Sequence, residues 1–146
     1  MRRTLGVGIV LLLGLLVFVE PTSAQTGTQS RDRGFQLQQN FPNPFNPETR
    51  IPFGLQDDLF RDGKRVVVTI RIYNVLHQLV AVPTALNHPS GNGAAVENLE
   101  YTTPGTHLAY WDGLDINGRK VASGLYIVAL EVNGRRATPI KITVAK

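Results

Sequence analysis

The chain has 146 residues, of which 42% are hydrophobic, and a formal net charge of +4. This length allows one domain with a short extension, and the apolar fraction is too high for a disordered chain and too low for a multi-span membrane protein. With no cysteine and three histidines, the sequence excludes a disulfide framework, a zinc finger, a thiol enzyme and an iron–sulfur site. The basic residues are scattered along the chain, which argues against a nucleic-acid partner.

The N-terminal segment has the features of a secretory signal peptide. Arg2 and Arg3 precede an uncharged apolar run from Leu5 to Val19, and small residues lead to Ala24. The run is shorter than the roughly 18–20 residues of a membrane-spanning helix, so we expect cleavage after Ala24 and export, not anchoring. We therefore divide the chain into a signal peptide (1–24), a flexible polar leader (25–34) and a β domain (35–146).

The β domain shows strand periodicity and no helical periodicity. The predicted strands, in chain order, are Thr49–Leu55, Val66–Tyr73, 78–82, 96–101, 106–111, Gly124–Val132 and 137–144. The residues predicted to face the core in the two longest strands are Val66, Val68, Ile70 and Ile72, and Tyr126, Val128, Leu130 and Val132. Pro52 predicts an edge strand or a bulge, because proline cannot donate to a strand ladder.

Turn residues separate these strands. Asp62-Gly63, Asn117-Gly118 and Asn133-Gly134 are dipeptides that supply positive φ angles, and His77 is predicted to adopt a left-handed conformation in its turn. Short antiparallel strands joined by such turns predict an all-β sandwich of about seven strands. A long loop is expected at residues 83–104, and the short strand predicted at 96–101 lies within it.

Residues 39–47 (QNFPNPFNP), which we call the strap, contain three prolines and cannot form a helix. The prolines restrict the backbone on both sides of Phe41 and Phe45. We predict that the strap lies over one end of the sandwich and buries both rings. The alternative is a polyproline ligand for another domain.

Residues 111–118 (WDGLDING) form a second distinctive segment, in which Trp111 is predicted to fill the core. Asp112, Asp115 and Asn117 offer the oxygen ligands that calcium prefers. Their spacing does not match the twelve-residue calcium loop, and capping of tight turns by the side chains of Asp112 and Asn117 is the favoured interpretation. No other cofactor is expected.

Catalytic patterns are lacking in the sequence. The G-x-S-x-G nucleophile motif is absent. Asp57 and Asp58 are adjacent, and neighbouring side chains in an extended chain point in opposite directions. The sequence therefore predicts a protein without enzymatic activity.

Several segments together resemble a known family. Residues 37–51, 72–74, 111–113 and 122–126 resemble the type A C-terminal sorting domain of type IX secretion cargo, and the related immunoglobulin-like domain of flagellar hook-capping proteins. The resemblance covers residues 35–146. The signature residues that carry it are Asn40, Phe41, Pro42, Asn43, Pro44, Phe45, Asn46, Pro47, Trp111, Asp112 and Gly113.

The resemblance implies an immunoglobulin- or fibronectin-III-like antiparallel sandwich without catalysis. It also implies recognition by the type IX outer-membrane translocon after export to the periplasm of a Gram-negative bacterium, with secretion or cell-surface display. A surface sorting peptidase removes the domain in that family. The sorting-signal candidates are Gly124, Tyr126, Lys141, Ile142, Val144 and Lys146.

A second interpretation is a free-standing secreted binding or structural module. Its partner would be a polysaccharide or a surface protein, bound through the loop at residues 83–104. Tyr101 and Tyr110 are the nearby aromatic residues that could stack on a sugar. Neither interpretation involves nucleic acid or a membrane-spanning segment.

Overall fold

The computed structural model describes residues 34–146. The predicted signal peptide and nearly all of the leader lie outside the described residues. Apart from a short 3-10 segment, Asp57–Gly63, the regular structure of the described residues is β. The strands are β1 (Phe35–Leu37), β2 (Thr49–Leu55), β3 (Val66–Tyr73), β4 (Leu79–Ala81), β5 (Thr84–Leu86), β6 (Leu99–Tyr101), β7 (Gly105–Trp111), β8 (Gly124–Val132), β9 (Arg135–Arg136) and β10 (Ile140–Val144). Within residues 34–146, none of the helical structure has the length and apolar character to cross a membrane.

The strands form two antiparallel sheets that pack face to face. The first sheet has the order β1-β2-β7-β5, and the second has the order β10-β8-β3-β4, with β6 also paired to β3 and β9 to β8. Strands β2 and β7 run together from the pair Thr49↔Trp111 to the pair Leu55↔Gly105. This arrangement confirms the predicted all-β sandwich.

The core lies between the sheets and is built by the alternation of each strand. The inward residues predicted for β3 are fully buried, and those predicted for β8 are at most 8% exposed. Full burial of one such Val, Leu or Ile side chain contributes roughly 1.5–3 kcal/mol. Trp111, at 2% exposed, also lies in this core as predicted.

Most predicted strands agree with the structure. The predicted bounds of β2, β3 and β8 are exact, those of β4 differ by one residue at each end, and that of β7 differs by one residue at its start. Strand β6 begins at Leu99, three residues later than predicted. The strand predicted at 137–144 starts later, at Ile140, because the Ala137 N–H already closes the β8–β9 hairpin on the Leu130 carbonyl at 2.9 Å. Of the ten strands, five are only two or three residues long, and three of these were not predicted, β1, β5 and β9.

The edge-strand alternative predicted from Pro52 is wrong, because β2 lies inside its sheet between β1 and β7. The ladder to β1 ends at the pair Leu37↔Phe53. The next contact uses only the Pro52 carbonyl, which accepts the Gln38 N–H at 2.9 Å. Proline is tolerated here because its missing N–H falls just beyond the end of the short β1 ladder.

The turn predictions are largely confirmed. Asn133 and Gly134 have φ angles of 49° and 77° and join β8 to β9. His77 has a φ of 59°, so it is left-handed as predicted. In the Asn117-Gly118 dipeptide, by contrast, positive φ is confined to Gly118, at 76°.

Candidate functional site

The strap is fixed to the domain by a buried asparagine. Asn40 is 3% exposed, and its Nδ2 donates to the Pro42 carbonyl at 3.0 Å and to the Thr49 hydroxyl at 2.9 Å. The Thr49 hydroxyl in turn donates to the Pro42 carbonyl at 3.0 Å. These bonds satisfy buried polar atoms and hold the turn of the strap against the first residue of β2.

The two phenylalanines of the strap have different environments. Phe45 is 1% exposed, and its ring centroid lies 5.3 Å from that of Trp111. Phe41 is 48% exposed, so the prediction that both rings are buried is wrong for this residue. Phe41 contributes its backbone instead, since its N–H and C=O each bond to Arg50 at 2.9 Å.

The strap also covers the outer edge of β10. The Phe45 N–H donates to the Thr143 carbonyl at 3.0 Å, and the Phe45 carbonyl accepts the Ala145 N–H at 2.9 Å. Two side chains add to these bonds: Asn43 Oδ1 accepts the Thr143 N–H at 3.0 Å, and Gln39 Nε2 donates to the Lys141 carbonyl at 3.1 Å. The strap therefore occupies the place of a neighbouring strand at the edge of β10 that faces away from β8.

The segment that starts at Trp111 packs directly on the strap. Gly113 has a φ of 76°, and a Cβ at this position would collide with the Pro47 carbonyl oxygen. The Gly113 carbonyl accepts the Val121 N–H at 3.0 Å, and Trp111 Nε1 donates to the Leu114 carbonyl at 2.9 Å. Glycine is thus required where the two distinctive segments meet.

The signature residues and the last strand therefore converge at one end of the sandwich. The Trp111 ring packs against both Phe45 and Tyr126, with a centroid separation of 5.7 Å to Tyr126. Tyr126 pairs with Ile142 and Gly124 with Val144 across β8 and β10. No sequence pattern predicted that the strap would bind β10, because nearly one hundred residues separate them.

The sorting-signal candidates divide into buried and exposed residues. Ile142, Val144 and Tyr126 are buried, and the Tyr126 hydroxyl donates to the Ala122 carbonyl at 2.9 Å. Burial raises the pKa of Tyr126 above its ordinary value. Gly124, Lys141 and Lys146 are exposed, so these are the candidates that a partner can reach without unfolding the domain.

The calcium candidates act as turn-forming groups. Asp112 Oδ1 accepts the Leu114 N–H at 3.0 Å. Asp115 Oδ1 accepts the N–H groups of Asn117 at 2.8 Å and of Arg119 at 3.0 Å. These two bonds lower the pKa of Asp115, and the bond from Arg119 has the larger effect. Turn capping by Asp112 is as predicted, whereas the second cap comes from Asp115 and not from Asn117 as predicted. Across residues 34–146, no three His, Cys, Asp or Glu side chains gather as a metal site.

Tyr101 lies in the core, so the prediction that it could stack on a sugar is wrong. It is 4% exposed and its ring packs against His88, Phe53 and His107, with centroid separations of 4.8, 5.5 and 4.6 Å. Burial raises the pKa of Tyr101 to about 12. Its hydroxyl is buried without a hydrogen-bond partner among the described residues.

Tyr110 remains partly exposed, and its hydroxyl donates to Glu48 Oε2 at 2.6 Å. This bond is the main cause that raises the pKa of Tyr110. With Tyr101 in the core and the Tyr110 hydroxyl bound to Glu48, the two tyrosines do not form an aromatic platform.

A groove of about 400 Å³ crosses the outer face of the second sheet. Its floor comes from β3 and β8, and Tyr73 and Ile127 lie in it together with Arg71. Arg71 is paired with Glu97 at 3.1 Å, and this hydrogen bond raises the pKa of Arg71. The alternation predicted for β3 and β8 leaves these residues on the outward face, but no sequence pattern predicted a groove there.

Segments of three larger proteins have similar structures. PorU from Porphyromonas gingivalis, solved in a dimeric latent form, matches with a TM-score of 0.52 at 19% identity over 76% of this chain and 9% of PorU. PorZ from the same bacterium, an essential surface component of its type IX secretion system, matches with a TM-score of 0.42 at 19% identity, over 83% of this chain and 13% of PorZ. The alkylpurine DNA glycosylase AlkC from Pseudomonas fluorescens, solved bound to DNA with an abasic-site analogue, gives 0.45 at 16% identity, over 77% and 31%.

The sequence matches no protein-family model and no curated protein. This chain spans less than a third of the length of each of the three proteins. At 19% identity, the match to PorU establishes a shared sandwich fold.

Proposed function

We propose that this β-sandwich is a non-enzymatic sorting domain, recognised by the outer-membrane translocon of a type IX secretion system. The domain would direct export to the medium or display at the cell surface, after residues 1–24 have directed the chain to the periplasm. A sorting peptidase at the cell surface would be a second partner.

The observation that carries this proposal is the convergence of the signature residues on the last strand. The backbone of Phe45 binds β10, and the ring of Phe45 packs against Trp111. Gly113 accommodates the Pro47 carbonyl. Motifs that resemble one family thus act together in this chain, where they hold β10 in one defined position.

A rigid last strand suits recognition of folded cargo. Ile142 and Val144 anchor β10 in the core, and Lys141, which directly precedes Ile142, is exposed to solvent. A strand anchored in this way needs no ordering of its backbone when a partner binds its outward side chains.

The absence of catalysis is part of the proposal. Among the described residues, His88 and His107 each bind a main-chain carbonyl through Nε2, at 2.8 and 2.9 Å. Nothing in these contacts places a nucleophile next to a base, which is the minimum arrangement for covalent catalysis.

The test is a passenger assay. A fluorescent protein that matures after Sec export is inserted within residues 25–33, which leaves residues 34–146 unchanged. The fusion is expressed in a host with type IX secretion and in the same host without its translocon. A matched control carries the signal peptide and the passenger without the domain.

We expect surface or medium fluorescence only with the domain in the competent host. Equal external fluorescence in both hosts would contradict the proposal. Periplasmic retention in both, with the domain folded, would contradict it as well and would favour a binding or structural module.

A further inference from the structure

The outer edge of β10 is closed to an added strand. Four main-chain groups on this edge already bind the strap: the Thr143 N–H and C=O, the Lys141 C=O and the Ala145 N–H. A partner that extends the sheet at β10 would have to replace the strap. Replacement would also pull Phe45, which is 1% exposed, away from Trp111.

The outward face of β10 is open. Lys141 pairs with Ile127 of β8, and Thr143 pairs with Leu125. Lys141 is exposed and Leu125 is 41% exposed, while Ile127 and Thr143 are partly exposed. We call these four residues the terminal face.

The terminal face combines apolar surface with an available positive charge. Within residues 34–146, Lys141 has no ion-pair partner, whereas Arg71 is paired with Glu97 and Arg136 with Glu131 on the same side of the sheet. Ile127, the cross-strand partner of Lys141, and Leu125, the partner of Thr143, provide apolar surface next to this charge. Such a surface fits a protein partner that places carboxylates next to an apolar patch.

We propose that the translocon reads the terminal face of folded β10 through an acidic, partly apolar protein surface, while the strap excludes recognition by strand addition. This inference rests on the sorting function proposed above and adds which surface is read and the chemistry of its partner. It assigns Lys141 the central contact, and it assigns the strap the task of closing the edge.

The register of the second sheet supplies a matched control. Lys141, Ile127 and Tyr73 form one row across β10, β8 and β3. Lys64 is also exposed but precedes β3, at the opposite end of that strand from Tyr73. Lys141→Glu and Lys64→Glu therefore make the same charge change at two distant positions.

The experiment repeats the passenger assay with the full chain and four variants: Lys141→Glu, Lys141→Arg, Lys64→Glu and Asn43→Ala. Thermal unfolding of each purified variant establishes that it folds. Asn43→Ala removes the side-chain acceptor from the Thr143 N–H and so frees part of the β10 edge without changing the terminal face.

We expect Lys141→Glu to lower export by at least about tenfold, since like charges across an interface repel. Lys141→Arg and Lys64→Glu should stay within about twofold of the parent, because each keeps the positive charge on the terminal face. Asn43→Ala should bring no gain in export, because strand addition at β10 is not the mode of recognition. Export of folded Lys141→Glu at the level of Lys64→Glu would overturn the inference, and so would a rise in export for Asn43→Ala. If Lys141→Glu does not fold, Lys141→Gln takes its place in the assay. Loss of export in Lys141→Gln, with Lys141→Arg exported normally, supports the same conclusion. Normal export of Lys141→Gln overturns it. Failure of the parent to be exported would reject the sorting function itself, and this inference with it.

Discussion

Two phenylalanines of the strap allow a sharp test of how the last strand is held. Phe45 is 1% exposed and packs on Trp111, whereas Phe41 is 48% exposed. Truncation of a buried phenylalanine to alanine costs about 3–5 kcal/mol, from lost transfer energy and the cavity left behind. For a half-exposed ring, about half of the 1.5–3 kcal/mol of full burial is lost, which is roughly 1 kcal/mol.

We therefore expect Phe45→Ala to lower the free energy of unfolding by about 3–5 kcal/mol and Phe41→Ala by about 1 kcal/mol. Urea unfolding followed by circular dichroism measures both variants against the parent. Since small domains are stable by only about 5–15 kcal/mol, the first change is large. Equal losses in the two variants would refute the view that the Phe45 ring fixes the strap.

Two further predictions concern the core and the junction of the distinctive segments. Tyr101→Phe removes a buried hydroxyl without a hydrogen-bond partner, so we expect it to raise the free energy of unfolding by about 1–3 kcal/mol. Burial raises the pKa of Tyr101 from 10.0 to about 12, so the folded state favours the neutral phenol and the parent should lose stability as pH rises from 10 to 12. Unfolding curves across this pH range should show a smaller loss of stability in Tyr101→Phe than in the parent. An identical loss in the two proteins would count against the burial argument. Gly113→Ala should lower the free energy of unfolding by at least about 1 kcal/mol more than Gly118→Ala. Both glycines have a φ of 76°, but only at Gly113 would an added Cβ collide with the Pro47 carbonyl. Equal shifts of the melting temperature in the two variants would show that this contact is unimportant.

The sequence predicted the parts of the fold that depend on local alternation. The bounds of β3 and β8 follow from long runs of Val, Ile and Leu at every second position. Strands β1 and β5 have three residues each, too few to show a period. They are strands because longer neighbours pair with them: Ala85 of β5 is fully buried opposite Ala109 of β7.

The candidate site was predictable as a set of residues and not as an arrangement. The motif residues could be recognised from their order, and burial of Phe45 and Trp111 follows from their apolar character. The exposure of Phe41 could not be predicted, because it depends on its backbone pairing with Arg50. The contacts of Asn43 and Gln39 with β10 span about one hundred residues, and one sequence carries no signal for them.

The link between the strap and β10 has a consequence for the order of folding. A loop of about one hundred residues costs roughly 4 kcal/mol of chain entropy to close, whereas Asn133-Gly134 joins β8 and β9 across two residues. The hairpin should therefore form early and the strap should dock late, after β10 has paired with β8. Until that docking occurs, the folding chain has an unprotected sheet edge that favours aggregation, so docking of the strap completes folding.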